Sequence, residues 1–493
     1  MSYIQISDLS FTHAGSCTPV FDRVSCRLDT GWRLGLVGRN GRGKTTLLKL
    51  LAGIYPAGGA VSASVAFTYF PGPAPKPGLE GWEAACGANP MLELWALTRE
   101  LSLLGAEDGI LYRPFSTLSG GEQTKLLLAA MFLRENCFFL LDEPTNHLDD
   151  AGKEAVSRYL QRKNGFILVS HDRALLDACT DHTMSINKTN IEIQQGNFSA
   201  WYADKQLRDQ WELAENARLQ KDIRRLNESA RRAAAWSDKA ERGKHAKNAG
   251  LKPDRGYVGH KSAKMMQRAK SIESRKTAMA KEKAGLLKNI ETTEALKLSP
   301  LIHHAKTLLA AEDVSVLYGG KPVCTPVSFT LGPGERLLLS GKNGAGKTSL
   351  LRLLLGEPLA HTGRVTLAAG LAVSYIPQDA SFLRGGLRDF CRESGLDETL
   401  FFAILRKLDF SRAEFVHDLS GLSAGQQKKV LLARSLCQRA HVYIWDEPLN
   451  YIDIFSRMQI EDLLLAAQPA MLFVEHDRTF AAKIATGEVA FSR

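Results

Sequence analysis

The pattern G-x-x-x-x-G-K-T occurs twice in this chain, as GRNGRGKT at 38–45 and GKNGAGKT at 341–348. Each copy follows a short apolar run, RLGLV or RLLLS, and precedes a leucine-rich stretch of helical pattern. A strand, a glycine-rich loop and a helix in that order wrap backbone N–H groups and a helix N-terminus around phosphates, so the chain is constrained to two such units. Gly38, Asn40, Gly41 and Gly43 in the first copy, and Gly341, Asn343, Gly344 and Gly346 in the second, are the expected cradle. Lys44 and Lys347 are placed to reach the terminal phosphates, Thr45 and Thr348 to take Mg²⁺, and Thr46 and Ser349 complete the nucleotide contacts.

Downstream, FFLLDEP and VYIWDEP are apolar strands ending in acidic pairs. Asp142 and Asp446 are expected to hold Mg²⁺, and Glu143 and Glu447 to orient and deprotonate an attacking water. The spacings repeat: Lys44 to Asp142 is 98 residues and Lys347 to Asp446 is 99, while Asp142 to His171 is 29 and Asp446 to His476 is 30. His171 in VSHDR and His476 in VEHDR each follow an apolar strand, where a neutral imidazole can contact a γ-phosphate.

LSGGEQ at 118–123 and LSAGQQ at 422–427 complete the set, and with them the chain resembles the ATP-binding cassette ATPases over both flanking thirds. The resemblance implies an α/β fold of two P-loop NTPase domains, 1–198 and 303–493, forming an intramolecular cassette dimer within a monomer and sandwiching two ATP molecules head to tail. Ser119, Gly120, Gly121 and Glu122 would then serve the nucleotide on Lys347, and Ser423, Ala424, Gly425 and Gln426 the one on Lys44. Ala424 replaces a signature glycine. Gln378 in YIPQD falls at the Q-loop, where it would meet nucleotide and Mg²⁺; Gly72 in YFPGP departs from that pattern. At the adenine-stacking position the second cassette offers Tyr318 and the first His13, which is either a stacking ring or a surface loop residue.

Between the cassettes the composition changes. Residues 201–300 contain 24 Lys and Arg against 13 Asp and Glu, while the rest of the 493 residues holds 39 against 40. Charge excess confined to one segment points to a polyanion partner. Leu219, Ile223, Leu226, Ala230 and Ala233 recur at alternating spacings of four and three, and Met265, Ile272, Met279 and Leu286 fall seven apart. Two such seams predict an antiparallel α-helical coiled-coil linker over 199–302, with a glycine-rich basic tip at about 243–260. RNA fits a basic probe of this shape. The eight cysteines show no CxxC spacing, which fits a reducing cytosol, and no apolar run approaches the length of a membrane span, so no membrane domain is expected.

Two fused cassettes, a basic helical linker and the sequence DEPTNHLD at 142–149 resemble the ABC-F family of translation ATPases. EPLNYIDIFSRMQIE, LVGRNGRGKTTLL, YRPFSTLSGGEQTK and AMLFVEHD resemble its Lsa/Vga-type antibiotic-resistance branch. That branch implies ATP and Mg²⁺ as ligands and the ribosome as partner: the exit site, 23S rRNA and the P-site tRNA. The tip residues Leu251, Lys252, Tyr257 and Val258 would reach toward the peptidyl-transferase centre and dislodge lincosamides, pleuromutilins and streptogramin A compounds. A housekeeping translation or assembly factor and the ATPase subunit of an exporter are the alternatives.

Overall fold

The structure, a computed structural model, describes residues 2–13, 19–56, 58–73, 75–76, 78–146, 148–187, 191–243, 267, 271, 274–275, 296–342, 344–410 and 414–491. They fall into two compact units, one of Met1–Trp201 with Thr293–Arg493 and one of Tyr202–Thr292.

The first unit repeats one α/β design. In the N-terminal half a sheet runs in the order Ala66–Phe70, Cys137–Asp142, Phe166–Val169, Arg33–Val37, His182–Ile186, Ile191–Gln195; the last strand is antiparallel to its neighbour and the others are parallel. In the C-terminal half Val373–Ile376, Val442–Asp446, Ala470–Val474, Arg336–Gly341 and Gly487–Phe491 form a sheet that is parallel throughout. The strands FILV and AMLFV are buried along their whole length, because helices cover both faces of a parallel sheet and leave no side for polar residues. An antiparallel sheet lies beside each, built on Tyr3–Phe11 in one half and Leu309–Tyr318 in the other.

This order positions the chemistry. The glycine loop, the acidic pair and the histidine of each half leave the carboxyl ends of three strands that lie side by side, the place where open α/β sheets bind ligands. Neighbouring strands are about 4.8 Å apart, so groups separated by a hundred residues of sequence meet within one hydrogen-bonding neighbourhood.

At the C-terminal boundary of its first segment this unit buries Phe198 and Trp201, and the Trp201 ring lies 6.1 Å from that of Phe455. The helix Phe198–Gly243 runs for 46 residues, about 69 Å at the α-helical rise. The tip residues Leu251, Lys252, Tyr257 and Val258, the seam residues Met265, Ile272, Met279 and Leu286, and Asn343 of the second glycine loop lie outside the described residues. Among the described residues no helix is long and apolar enough to cross a membrane.

Candidate functional sites

Gly43 and Gly346 cap the helices Lys44–Leu51 and Lys347–Leu354, each at φ 89°. A Cβ on Gly43 would also come within 2.6 Å of Val20 Cγ1, so backbone conformation and space both demand glycine there. The Lys44 ammonium donates to the carbonyl oxygens of Gly38 (2.6 Å) and Arg39 (3.3 Å), and Lys347 to those of Gly341 (2.7 Å) and Lys342 (3.1 Å). Thr45 and Thr348 follow as second residues of the helices, and Thr46 and Ser349 as third. The Thr46 hydroxyl lies 3.4 Å from His13 Nε2 and the Ser349 hydroxyl 3.2 Å from the Tyr318 hydroxyl, so the two rings hold matching places against the two loops.

Asp446 is fully buried, and among the described residues its carboxylate oxygens make no hydrogen bond of ordinary geometry, the Thr348 hydroxyl being the polar side-chain group that bears on them. Burial raises this carboxyl above its ordinary value against the pull of the Thr348 hydroxyl, Lys428 and Lys347. A buried carboxylate at the end of a strand, beside the threonine of the phosphate-binding loop, is the oxygen donor a small hard cation requires, so the residues fit Mg²⁺. Asp142, its counterpart, accepts a hydrogen bond from the Tyr69 hydroxyl at 3.1 Å.

The adjoining glutamates both take the left-handed backbone conformation, Glu143 at φ 51° and Glu447 at φ 48°. That conformation costs a non-glycine residue on the order of 1 kcal/mol and persists where the surroundings fix a side chain for use. Their partners differ. Glu143 Oε2 accepts from the backbone N–H of His171 at 3.3 Å, and the His171 ring nitrogen Nε2 lies 3.2 Å from Oε1. Burial, reinforced by Asp142, pushes Glu143 up to about 8. Glu447 Oε2 accepts from the Asn450 side-chain amide at 2.7 Å, and His476 Nε2 lies 3.4 Å from Oε1. Burial raises Glu447 too, but hydrogen bonding from His476 and Gln378, with the charge of Lys347, outweighs it and holds the carboxyl below its ordinary value. Burial, then Lys44 and Arg457, drives His171 well below its ordinary value, so its ring is neutral.

Each signature begins a helix, Gly120–Phe132 after Ser119 and Ala424–Cys437 after Ser423. Glu122 and Gln426, expected among the nucleotide contacts, close reciprocal capping boxes with those serines, at 2.7 Å and 2.8 Å to the serine N–H groups. Gly425 is pressed against the other cassette: a Cβ there would lie 3.3 Å from Asn40 Nδ2, which donates to the Tyr451 carbonyl at 2.9 Å. On the opposite side Gly120 lines a cavity of about 690 Å³ together with Lys347, Thr348, Gln378, Glu447 and His476. The structure therefore brings each signature to the other cassette's phosphate loop. The halves are also joined by Arg173, which pairs bidentately with Glu461, both side chains being buried, and by Lys153, which donates to the His476 carbonyl at 3.2 Å.

Sequence reading did not single out Asn450, Asp453, Arg457, Lys428 or Glu475. Asp453 holds Lys429 at 3.2 Å and its charge bears on Lys44 across the cassette boundary. Superimposing the two halves by their motifs marks all five: Asn146, Asp149 and Lys153 repeat the chemistry of the first three, whereas Thr124 and Ser170 stand opposite Lys428 and Glu475.

Comparison with known proteins agrees with the two-cassette fold. The family model described as ABC transporter matches residues 21–146 and 324–450. The ribosome protection protein VmlR of Bacillus subtilis is 28% identical, over 96% of this chain and 84% of its own length. The ATP-binding protein Uup of Caulobacter vibrioides is 30% identical, over 97% of this chain and 75% of its own. Among solved structures, an archaeal ribosome recycling factor, aABCE1, in complex with the ribosomal stalk protein aP1, shares the fold with a TM-score of 0.62 at 19% identity, over 99% of this chain and 87% of that one.

Proposed function

The chain belongs to the ABC transporter family, within its ABC-F group, and is an ATP-hydrolysing enzyme; from that premise we propose that it protects the ribosome from antibiotics of the peptidyl-transferase centre. In this reading the ATP-bound protein occupies the exit site, its basic linker lies on 23S rRNA and the P-site tRNA, and the tip residues Leu251, Lys252, Tyr257 and Val258 approach the bound lincosamide, pleuromutilin or streptogramin A drug. The similarity over 96% of the chain to a ribosome protection protein carries it. The confinement of the basic excess to residues 201–300 supports it, since phosphate contacts by Lys and Arg are largely independent of sequence.

The cassettes supply the cycle. Asp142 with Thr45, and Asp446 with Thr348, would hold Mg²⁺, which when bound would supply charge neutralisation for the nucleotide phosphates. Lys44 and Lys347 turn from their own loop carbonyls to the terminal phosphates. Glu143 and Glu447 orient and deprotonate water, and the neutral ring of His171 and the ring of His476 sit against the γ-phosphate. Ser119 and Gly121, and Ser423 and Gly425, close over the nucleotide of the opposite loop, so hydrolysis and cassette opening are linked.

Expression in a susceptible host tests the reading directly. The protein raises the inhibitory concentration of lincosamides or pleuromutilins, and E143Q/E447Q loses turnover by about 10² to 10⁴ while accumulating on 70S ribosomes. Replacing Arg224, Arg225, Arg231 and Arg232 with glutamine flattens the salt dependence of ribosome binding by about one log-log unit for each phosphate no longer neutralised. Co-purification with an integral membrane protein in place of ribosomes would overturn it. The 30% identity to an ATP-binding protein whose name specifies no drug favours a second reading, a housekeeping ABC-F factor, which predicts ribosome binding with unchanged drug susceptibility.

A further inference from the structure

The geometry points to Lys428 and Glu475 as positioning residues that prepare the second nucleotide site for hydrolysis, a provision the first site lacks. This rests on the reading of Glu447 as the base of that site.

Lys428 is 4% exposed, and its ammonium donates to the carbonyl oxygens of Pro377 at 3.1 Å and Glu447 at 3.0 Å. Pro377 directly precedes Gln378. One cation thus fastens the backbone before the Q-loop side chain to the backbone of the glutamate, where φ is 48°. Glu475 is 9% exposed; its Oε1 accepts from the N–H of Leu449 at 2.8 Å and its Oε2 from the N–H of His476 at 3.2 Å. It fastens the histidine backbone to the loop that follows Glu447. Both residues line the same cavity and carry opposite charge, and the charge of Glu475 bears on Lys428 more than that of any other carboxylate. The cation that bears most on Glu475 is Arg457, so the two residues act on the site each through its own backbone contacts.

The first cassette has neutral residues at both places. Thr124 stands six residues after Leu118, as Lys428 does after Leu422, and its side chain is too short to bridge two loops. Ser170 precedes His171 as Glu475 precedes His476, and its hydroxyl accepts from the N–H of Asp172 at 3.1 Å. The N–H of His171 is then taken by Glu143 itself. Glu143 is thereby tied to the backbone of its own histidine loop. In the second cassette Glu475 accepts that N–H instead, and Glu447 is left with the Asn450 and Gln378 amides and the His476 ring around it.

The experiment silences the first site with E143Q and measures steady-state ATP hydrolysis for K428T and E475S, which install the first cassette's residues, and for K428R. Loss of positioning lowers kcat about tenfold while KM for ATP stays within about twofold, and K428R, which keeps the charge and the donors, restores at least half of kcat. Unchanged kcat in folded K428T and E475S overturns the proposal, as does a loss that resides in KM. Should K428T not fold, K428M keeps the aliphatic stem and is held to the same kcat criterion. Failure of the underlying reading shows separately, as E143Q/E447Q turning over ATP as fast as E143Q.

Discussion

Glu143 and Glu447 end equivalent strands in the same left-handed conformation, yet they stand in different electrostatic surroundings. Burial and then Asp142 push the first up to about 8; at the second, His476, Gln378 and Lys347 outweigh burial and keep the carboxyl ionised. Part of this traces to one position. Gly72 stands where the second cassette has Gln378, and a glycine has no amide to offer a carboxylate. Two sites with the same motifs need not share the work equally, because a motif fixes which groups are present and the surrounding loops fix their protonation and aim.

The largest expected effect separates the two sides of the cassette boundary. Arg173 and Glu461 form a buried bidentate pair, whereas Arg478 faces Glu154 across 3.9 Å with both side chains more than half exposed. R173M leaves Glu461 to Lys483 and costs on the order of 3 kcal/mol, read as a lower urea midpoint, while R478M has no measurable effect. Equal shifts in the two variants would abolish the distinction.

Next comes the division of turnover. E447Q lowers steady-state ATP hydrolysis about tenfold more than E143Q, because the ionised and more fully positioned base is the one removed. Equal losses, or a larger loss in E143Q, would show that bound nucleotide levels the two environments.

The smallest effect is a gain. A Cβ on Gly72 would meet nothing closer than the Tyr69 carbonyl at 3.7 Å, so the backbone admits a side chain there and G72Q can be made. In an E447Q background it raises turnover at the first site about twofold to threefold. No gain would mean that the missing amide is not what separates the sites, and Thr124 and Ser170 would be the positions to convert next.

The sequence by itself determined the two-cassette α/β architecture, the glycine loops, the acidic pairs, the histidines and the signatures. Each is a local pattern whose backbone chemistry works over a few residues: Gly43 and Gly346 for a left-handed turn, Ser119 and Ser423 for a helix cap. It also located the basic excess, since charge adds up without regard to fold. Only the tertiary structure decided which group satisfies each glutamate, that Glu122 and Gln426 spend their side chains on capping, and that Asp453 of one cassette acts on Lys44 of the other. Those outcomes depend on burial and on loops brought together from strands a hundred residues apart. In a low-dielectric cleft a shift of an ångström decides whether a charge meets a partner, and no spacing along the chain encodes that distance.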